Sequence, residues 1–328
     1  MNEKKVVLDI KDLVVRYDTD DGIVRAVNGV SLKLHEGETL GLVGETGAGK
    51  TTIAKSILRI LPTPPAVIEA GMINFHDEDL LAKPEAEMRK LRGNAISMIF
   101  QDPMSALNPV ITVGDQIKEG ILLHQKLSKG EATEKAMQML ETVGISRERF
   151  FDYPHQFSGG MKQRAVIAIA LACNPSLLLA DEPTTALDVT IQAQVLELMA
   201  KLREDFNTSM ILVTHDLGVV AKSCDSVAVI YAGSIVEYGT KRQVYKNTAH
   251  PYTQGLFDSL PSLKSKSRRL KPIPGLMPNP MALPEGCPFS PRCPYATEEC
   301  MKGAVPEVEV EPGHIIRCHH PLKEGENA

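Results

Sequence analysis

The chain has 328 residues, 43% hydrophobic and 23% charged, a balance that supports a sizeable globular core. Its formal net charge of −5 leaves no overall basic excess of the kind that grips nucleic acid. No stretch approaches the ~18 consecutive apolar residues of a membrane helix, and the opening MNEKKVVLDI lacks the apolar run of a secretory signal. The expected location is therefore the cytosol, where thiols stay reduced and clustered cysteines point to metal or redox chemistry before disulfides.

In chain order, VVLDIKDLVVRYD (6–18) alternates as a strand does and is turned by DTDDG. Residues 24–34 and ETLGLVG (38–44) read as further strands, and 50–60 has helical periodicity that stops at LPTPP. AGMINFH and AISMIFQD are short apolar runs that predict buried strands. Two helical patterns fill 112–144, separated near KLSKGE, and 158–172 predicts a third helix. SLLLAD predicts a buried strand, 189–205 a helix, SMILVTHD a strand, and VAVIYAGSIVEYG a hairpin turned at AGS. Alternating strands and helices predict an α/β fold with a mainly parallel sheet, interrupted by a helical insert at about 105–172.

From about residue 261 the texture changes to a basic run, KSKSRRLK, and then a proline-crowded stretch with clustered cysteines. This sets an expected boundary between domains at 1–260 and 261–328. Proline and charge favour disorder; the cysteines argue for a folded tail.

Three stretches carry chemistry. GETGAGKT (44–51) fits G-x-x-x-x-G-K-[ST], between a predicted strand and a predicted helix. Gly44, Gly47 and Gly49 let the backbone N–H groups of Glu45, Thr46, Ala48 and their neighbours form a nest around phosphate. Lys50 adds a point charge on the β/γ-phosphates, Thr51 a hydroxyl for Mg²⁺, and the helix running on through Thr52 turns its positive end to the anion. LLLADEP (177–183) delivers Asp181 and Glu182 at the carboxyl end of a strand. Asp181 is the expected Mg²⁺ holder and Glu182 the group that polarises the attacking water. FSGGMKQR (157–164) places Ser158 as a helix cap, with Gly159 and Gly160 opening the backbone to a second phosphate contact. One chain does not need two such sites for one nucleotide; a dimer in which each chain completes the other's site does.

On these residues the chain resembles the ATP-binding subunits of ABC transporters over about 17–240. GETGAGKT resembles Walker A and LLLADEP Walker B; FSGGM resembles the LSGGQ signature, departing from it at Phe157 and Met161. Gln101 in FQDP matches the Q-loop glutamine that reaches Mg²⁺ and the attacking water, ALD (186–188) the D-loop, and His215 in VTHD the switch histidine. Tyr17 stands where the family stacks an aromatic ring on adenine, although one tyrosine on a strand also serves packing. The resemblance implies a RecA-like core with an antiparallel β subdomain and a helical subdomain, and ATP held between two cassettes. FQDPMSALNPVITVGDQI, DEPTTALDVTIQAQVLELM, HPYTQGLFDSLP and IPGLMPNPMALPEGCPFSPRC resemble one branch, the peptide/nickel importers, and the first of their two paired ATPase subunits. This implies a paralogous ATPase partner, two membrane-spanning permease subunits, indirectly a substrate-binding protein, and a peripheral place on the cytoplasmic membrane face. A nickel or other small-solute importer, a soluble ABC ATPase acting on nucleic acid or ribosomes, and an iron–sulfur electron carrier are the competing readings.

Cys287, Cys293, Cys300 and Cys318 follow C-x5-C-x6-C-x17-C, wider than the paired C-x2–4-C of zinc ribbons. From chemistry alone a [4Fe–4S] cluster and Zn²⁺ both remain open, with two disulfides as a third option. The resemblance to the importer branch implies the cluster. His314, His319 and His320 are expected as solvated surface residues, and Cys173 and Cys224 as isolated buried thiols.

Overall fold

The computed structural model describes residues 5–185, 187–260 and 271–322. Ala186 of the ALD stretch, the 260/261 boundary and the basic run up to residue 270 lie outside them. In chain order come β1 (Val6–Thr19), β2 (Gly22–His35), β3 (Thr39–Val43), α1 (Lys50–Leu58), β4 (Ala66–Phe75), β5 (Glu78–Asp79), α2 (Glu85–Leu91) and β6 (Ile96–Ile99). Then follow α3 (Pro103–Ala106), α4 (Val113–His124), α5 (Lys129–Thr142), α6 (Gly159–Leu171), β7 (Leu177–Asp181), α7 (Val189–Phe206), β8 (Ser209–Thr214) and α8 (Leu217–Ser223). The chain closes with β9 (Ser226–Tyr231), β10 (Ser234–Thr240), α9 (Lys241–Lys246), α10 (Pro251–Asp258), α11 (Glu298–Met301), β11 (Glu307–Glu311) and β12 (His314–Arg317).

These elements form two compact units. One gathers 1–8, 34–39 and 75–213; the other gathers 9–33, 40–74 and 214–328. In the first, β6, β7 and β8 pair in parallel, and every residue of β7 and β8 is buried. That is why LLLAD and SMILVT read as unbroken apolar runs: a parallel strand is covered on both faces. The helical stretch matches the predicted insert. Thr112 caps α4, and Ser128 with Glu131 forms a capping box on α5, satisfying N–H groups that the first turn leaves without carbonyls.

In the second unit, β2, β1 and β4 lie side by side in one sheet. In another, β3 runs parallel to β9, and β9 turns into β10 at Ala232 and Gly233, both with positive φ, the backbone a two-residue hairpin needs. The hairpin is as the sequence predicts. Two strands it does not predict come from the tail: β12 pairs antiparallel with β10, Glu237 opposite Ile316, and β11 pairs with β12. The described tail is thus part of the sheet, not a loose appendage.

A buried latch fixes that junction. Glu237 and His314 are both fully buried and hydrogen-bonded at 2.8 Å, and the Glu237 carboxylate also accepts the N–H groups of Ala249 (2.9 Å) and His250 (3.1 Å). His314 therefore departs from its expected place on the surface: four apolar-flanked residues, HIIR, carry it into the sheet, where Glu237 waits. Cys173 and Cys224 are buried and outside any disulfide.

Candidate functional site

The residues singled out in the sequence fall in both units. The second unit holds the phosphate-loop residues. The loop leaves β3 at Gly44 and enters α1 at Lys50. Gly49 caps that helix at φ +103, and a Cβ there would stand 2.4 Å from the Ala26 carbonyl oxygen, so only glycine fits. Ala48 and Gly233 are joined through a backbone hydrogen bond of 2.9 Å, which ties the loop to the β9–β10 turn. Lys50 is 5% exposed and its Nζ donates to the carbonyls of Gly44 (2.8 Å) and Glu45 (2.9 Å), lying back across its own loop. The backbone of Thr46 and Gly47 is exposed at the mouth, and Thr51 begins the helix behind it. Tyr17, on β1, comes within 3.2 Å of the Thr52 hydroxyl, so its ring stands beside the start of α1. His215 follows β8 and is exposed; Asp216 next to it caps α8 by accepting from Gly218 and Val219.

The first unit holds the other set. Asp181 ends β7 and is 2% exposed. Glu182 follows in the left-handed region, φ +46, with its N–H bonded to the Val213 carbonyl at 2.9 Å. Its Oε2 accepts from Gln101 Nε2 at 3.2 Å and from the Thr185 hydroxyl at 2.9 Å. The structure therefore brings Gln101 and Glu182 together, although 81 residues separate them. Ser158 caps α6, its Oγ accepting from the Met161 N–H, and Ser158 and Gly159 are exposed at that helix start.

The tail adds a cavity, wholly within the second unit. Cys287, Cys293, Cys300 and Cys318 line it together with His250, Phe289, Ser290, His319 and His320. Cys287 donates its N–H to the Cys300 carbonyl at 2.8 Å, and a Cβ on Gly286 would sit 2.4 Å from that same oxygen, so the neighbouring glycine permits the approach. Burial pushes the thiols of Cys287 and Cys293 up, and that of Cys318 to about 11. His250 is pushed down to about 4 by its complete burial, which keeps it neutral so that Nδ1 can accept the Tyr252 N–H. The Ser290 hydroxyl and His319 Nε2 are buried and lack a hydrogen-bond partner among the described residues. Among the same residues, no group of three or more His, Cys, Asp or Glu side chains is placed to hold a metal ion.

Three residues around the phosphate loop escaped the sequence reading. Arg292, between Cys287 and Cys293, reaches both carboxylate oxygens of Glu45, at 3.0 and 3.1 Å. Tyr252 Oη accepts the Glu45 N–H at 3.0 Å, and Tyr231 packs against Tyr252. A charged residue amid prolines and cysteines in CPFSPRC is the one signal that pointed to Arg292.

Comparison with known proteins bears on the family. The family model described as "ABC transporter" matches residues 27–185, and that described as "Oligopeptide/dipeptide transporter, C-terminal region" matches 236–300. The chain is 48% identical to the oligopeptide transport ATP-binding protein OppD of Salmonella typhimurium over 321 residues, covering 97% of this chain and 95% of that protein. It is 50% identical to the dipeptide transport ATP-binding protein DppD of Bacillus subtilis over 313 residues, covering 95% and 91%. Among solved structures it resembles the ATP-binding cassette MJ0796 as a dimer in a post-hydrolysis state bound to ADP and Pi. The TM-score there is 0.64 and the identity 26%, over 72% of this chain and 99% of that one. The cassette fold, the ATP-site motifs in their order and this likeness along nearly the whole chain place the protein in the family of ABC transporter ATP-binding proteins.

Proposed function

We propose that the chain is the ATP-hydrolysing subunit that powers import of dipeptides or oligopeptides across the cell membrane. The observation that carries this reading is the tail: relatives similar over more than nine-tenths of this chain are peptide-transport proteins by name, and the transporter C-terminal region matches at 236–300. The phosphate nest of 44–51 receives the β- and γ-phosphates, and Lys50 leaves its loop carbonyls to pair with them. Tyr17 stacks on the adenine. Thr51, Gln101 and Asp181 would hold Mg²⁺, which supplies the positive charge that offsets the phosphates. Glu182, held by Gln101 and Thr185, orients and polarises the attacking water. His215 contacts the γ-phosphate. The capped start of α6, Ser158 to Gly160, faces the nucleotide of a partner cassette, so hydrolysis needs a paralogous ATPase and, for transport, two permease subunits. The protein then sits at the cytoplasmic face as a peripheral subunit, in keeping with the finding that no helix among the described residues is long and apolar enough to cross a membrane.

For the four cysteines we propose a [4Fe–4S] cluster, as the resemblance to the peptide/nickel importers implies, with Zn²⁺ as the alternative. The finding that no group of three or more His, Cys, Asp or Glu side chains among the described residues is placed to hold a metal ion favours neither over the other. The four cysteines line one cavity, and a four-iron cluster needs four thiolates that converge in space. The unpartnered Ser290 hydroxyl and His319 ring on its wall support a polar guest. Such a cluster would supply a covalent staple to a tail with little core of its own.

Two measurements test these readings. Co-expressed with its permeases and a second ATPase, the chain should support peptide uptake. Glu182→Gln should cut hydrolysis by about 10²–10⁴-fold while ATP still binds; uptake of nickel chelates and not peptides would overturn the substrate. Anaerobically purified protein should contain about four iron and four sulfide per chain, lost in Cys293→Ser; one zinc without sulfide would reject the cluster.

A further inference from the structure

The proline-rich tail reaches the phosphate loop, and it does so through the turn that carries two of the cysteines. Between Cys287 and Cys293 the backbone closes tightly. The Ser290 N–H donates to Cys287 O at 3.0 Å, the Arg292 N–H to Phe289 O at 2.9 Å, and the Cys293 N–H to Ser290 O at 3.3 Å. The turn leaves Arg292 with one direction to point. Its side chain is 6% exposed, Nε donates to Pro274 O at 2.9 Å, and Nη1 lies 3.3 Å from Tyr231 Oη. The guanidinium also stands 5.8 Å from the Tyr231 ring centre. The same Nη1 also donates to both Glu45 carboxylate oxygens, at 3.0 and 3.1 Å.

Glu45 is the second residue of a loop that must take up a polyphosphate. A carboxylate there repels that ligand unless it is neutralised and held aside. Arg292 does both, its single Nη1 shared between the two carboxylate oxygens. The Glu45 N–H is meanwhile held by Tyr252 Oη, and Tyr252 packs on Phe289 at 5.3 Å, again within the cysteine turn. Earlier in the tail, the tip of Met277 lies 3.3 Å from where a Cβ on Gly47 would stand.

We propose that Arg292 is a positioning residue for the phosphate loop, and that through it the state of the four-cysteine turn sets the affinity for nucleoside triphosphate. Arg292 touches no part of the nucleotide in this scheme; it acts through Glu45. The proposal rests on 44–51 being the nucleotide loop and on the four cysteines being a site whose occupancy orders the turn.

The test is equilibrium binding of MgATP to the purified full-length chain without turnover, with metal and sulfide content measured on each sample. Arg292→Met should raise Kd about tenfold, the order expected when one member of a part-buried, hydrogen-bonded charge pair is removed. Arg292→Lys should fall between. Adding Glu45→Gln to Arg292→Met should recover much of the loss, because the bared carboxylate is gone; a purely structural arginine gives no such recovery. Cys293→Ser should weaken binding to a similar degree, and Arg292→Met should add little on that background. An unchanged Kd in Arg292→Met, no recovery in the double variant, or effects of Arg292→Met and Cys293→Ser that multiply, would each overturn the proposal. If Arg292→Met does not fold, by circular dichroism, the comparison of Arg292→Lys with and without Glu45→Gln decides in the same way. Wild-type protein free of metal and sulfide, yet with the Arg292 and Glu45 effects intact, would reject the cysteine-site reading alone and leave the loop-positioning role standing.

Discussion

Glu182 and Gly49 show how much a single backbone position decides. Glu182 sits at φ +46, a region that costs an ordinary residue about 1–2 kcal/mol. The strand before it and the bond from its N–H to Val213 hold it there, with its carboxylate turned to Gln101 and Thr185. Gly49 has the opposite logic: its φ of +103 and its contact with the Ala26 carbonyl leave no room for a side chain. Gly49→Ala should therefore displace the loop, with nucleotide binding falling at least tenfold, a loss of about 1.4 kcal/mol or more, while the melting temperature drops by only a few degrees. Titration with a fluorescent ATP analogue alongside a thermal melt would show it; unchanged affinity would mean that the loop yields at Ala26 instead.

Among the elements, β12 and its latch carry the most weight for the tail. Glu237 satisfies three donors with one carboxylate, and His314 is the only one of them contributed from beyond the proline-rich stretch. A buried polar group left without its partner costs about 1–3 kcal/mol. His314→Ala should lower stability by that amount and raise amide exchange selectively in β10 and β12. Exchange that rises evenly over the whole chain would show that the strand pairing, not the latch, holds the tail.

The same contrast explains what could be seen in advance. The strands, the helical insert, the hairpin and the phosphate loop were legible because each is a local pattern: an apolar run, a 3.6-residue period, or glycines at fixed offsets. The pairing of Gln101 with Glu182 was reachable only through family resemblance. The β12–β10 pairing, the Glu237–His314 latch and the Arg292–Glu45 grip were not legible. Their partners lie 77 and 247 residues apart for the last two, and no periodicity links them. His314 read as a surface residue for a physical reason: a histidine just after a Pro-Gly pair looks solvated until a buried carboxylate is known to face it.

At the scale of the whole molecule, the chain is a cassette without a membrane helix among its described residues, proposed to act on a membrane process. On the proposed function its attachment comes through permease subunits. In cells that produce those subunits, the protein should sediment with membranes and be released by alkaline carbonate; in cells lacking them it should stay in the supernatant. Retention on membranes after carbonate, or sedimentation without the permeases, would point to a direct lipid anchor.

The salt bridge between Glu45 and Arg292 has a further consequence, in the order of synthesis. The ribosome makes the phosphate loop early and its arginine 247 residues later. At about 5–20 residues per second that is a wait of about 12–50 s, during which the newborn loop carries a bare carboxylate where phosphate must bind. On the proposed positioning role of Arg292, a nascent chain binds ATP more weakly until its tail has emerged and closed, and chains cut short before the cysteine turn keep that weaker binding.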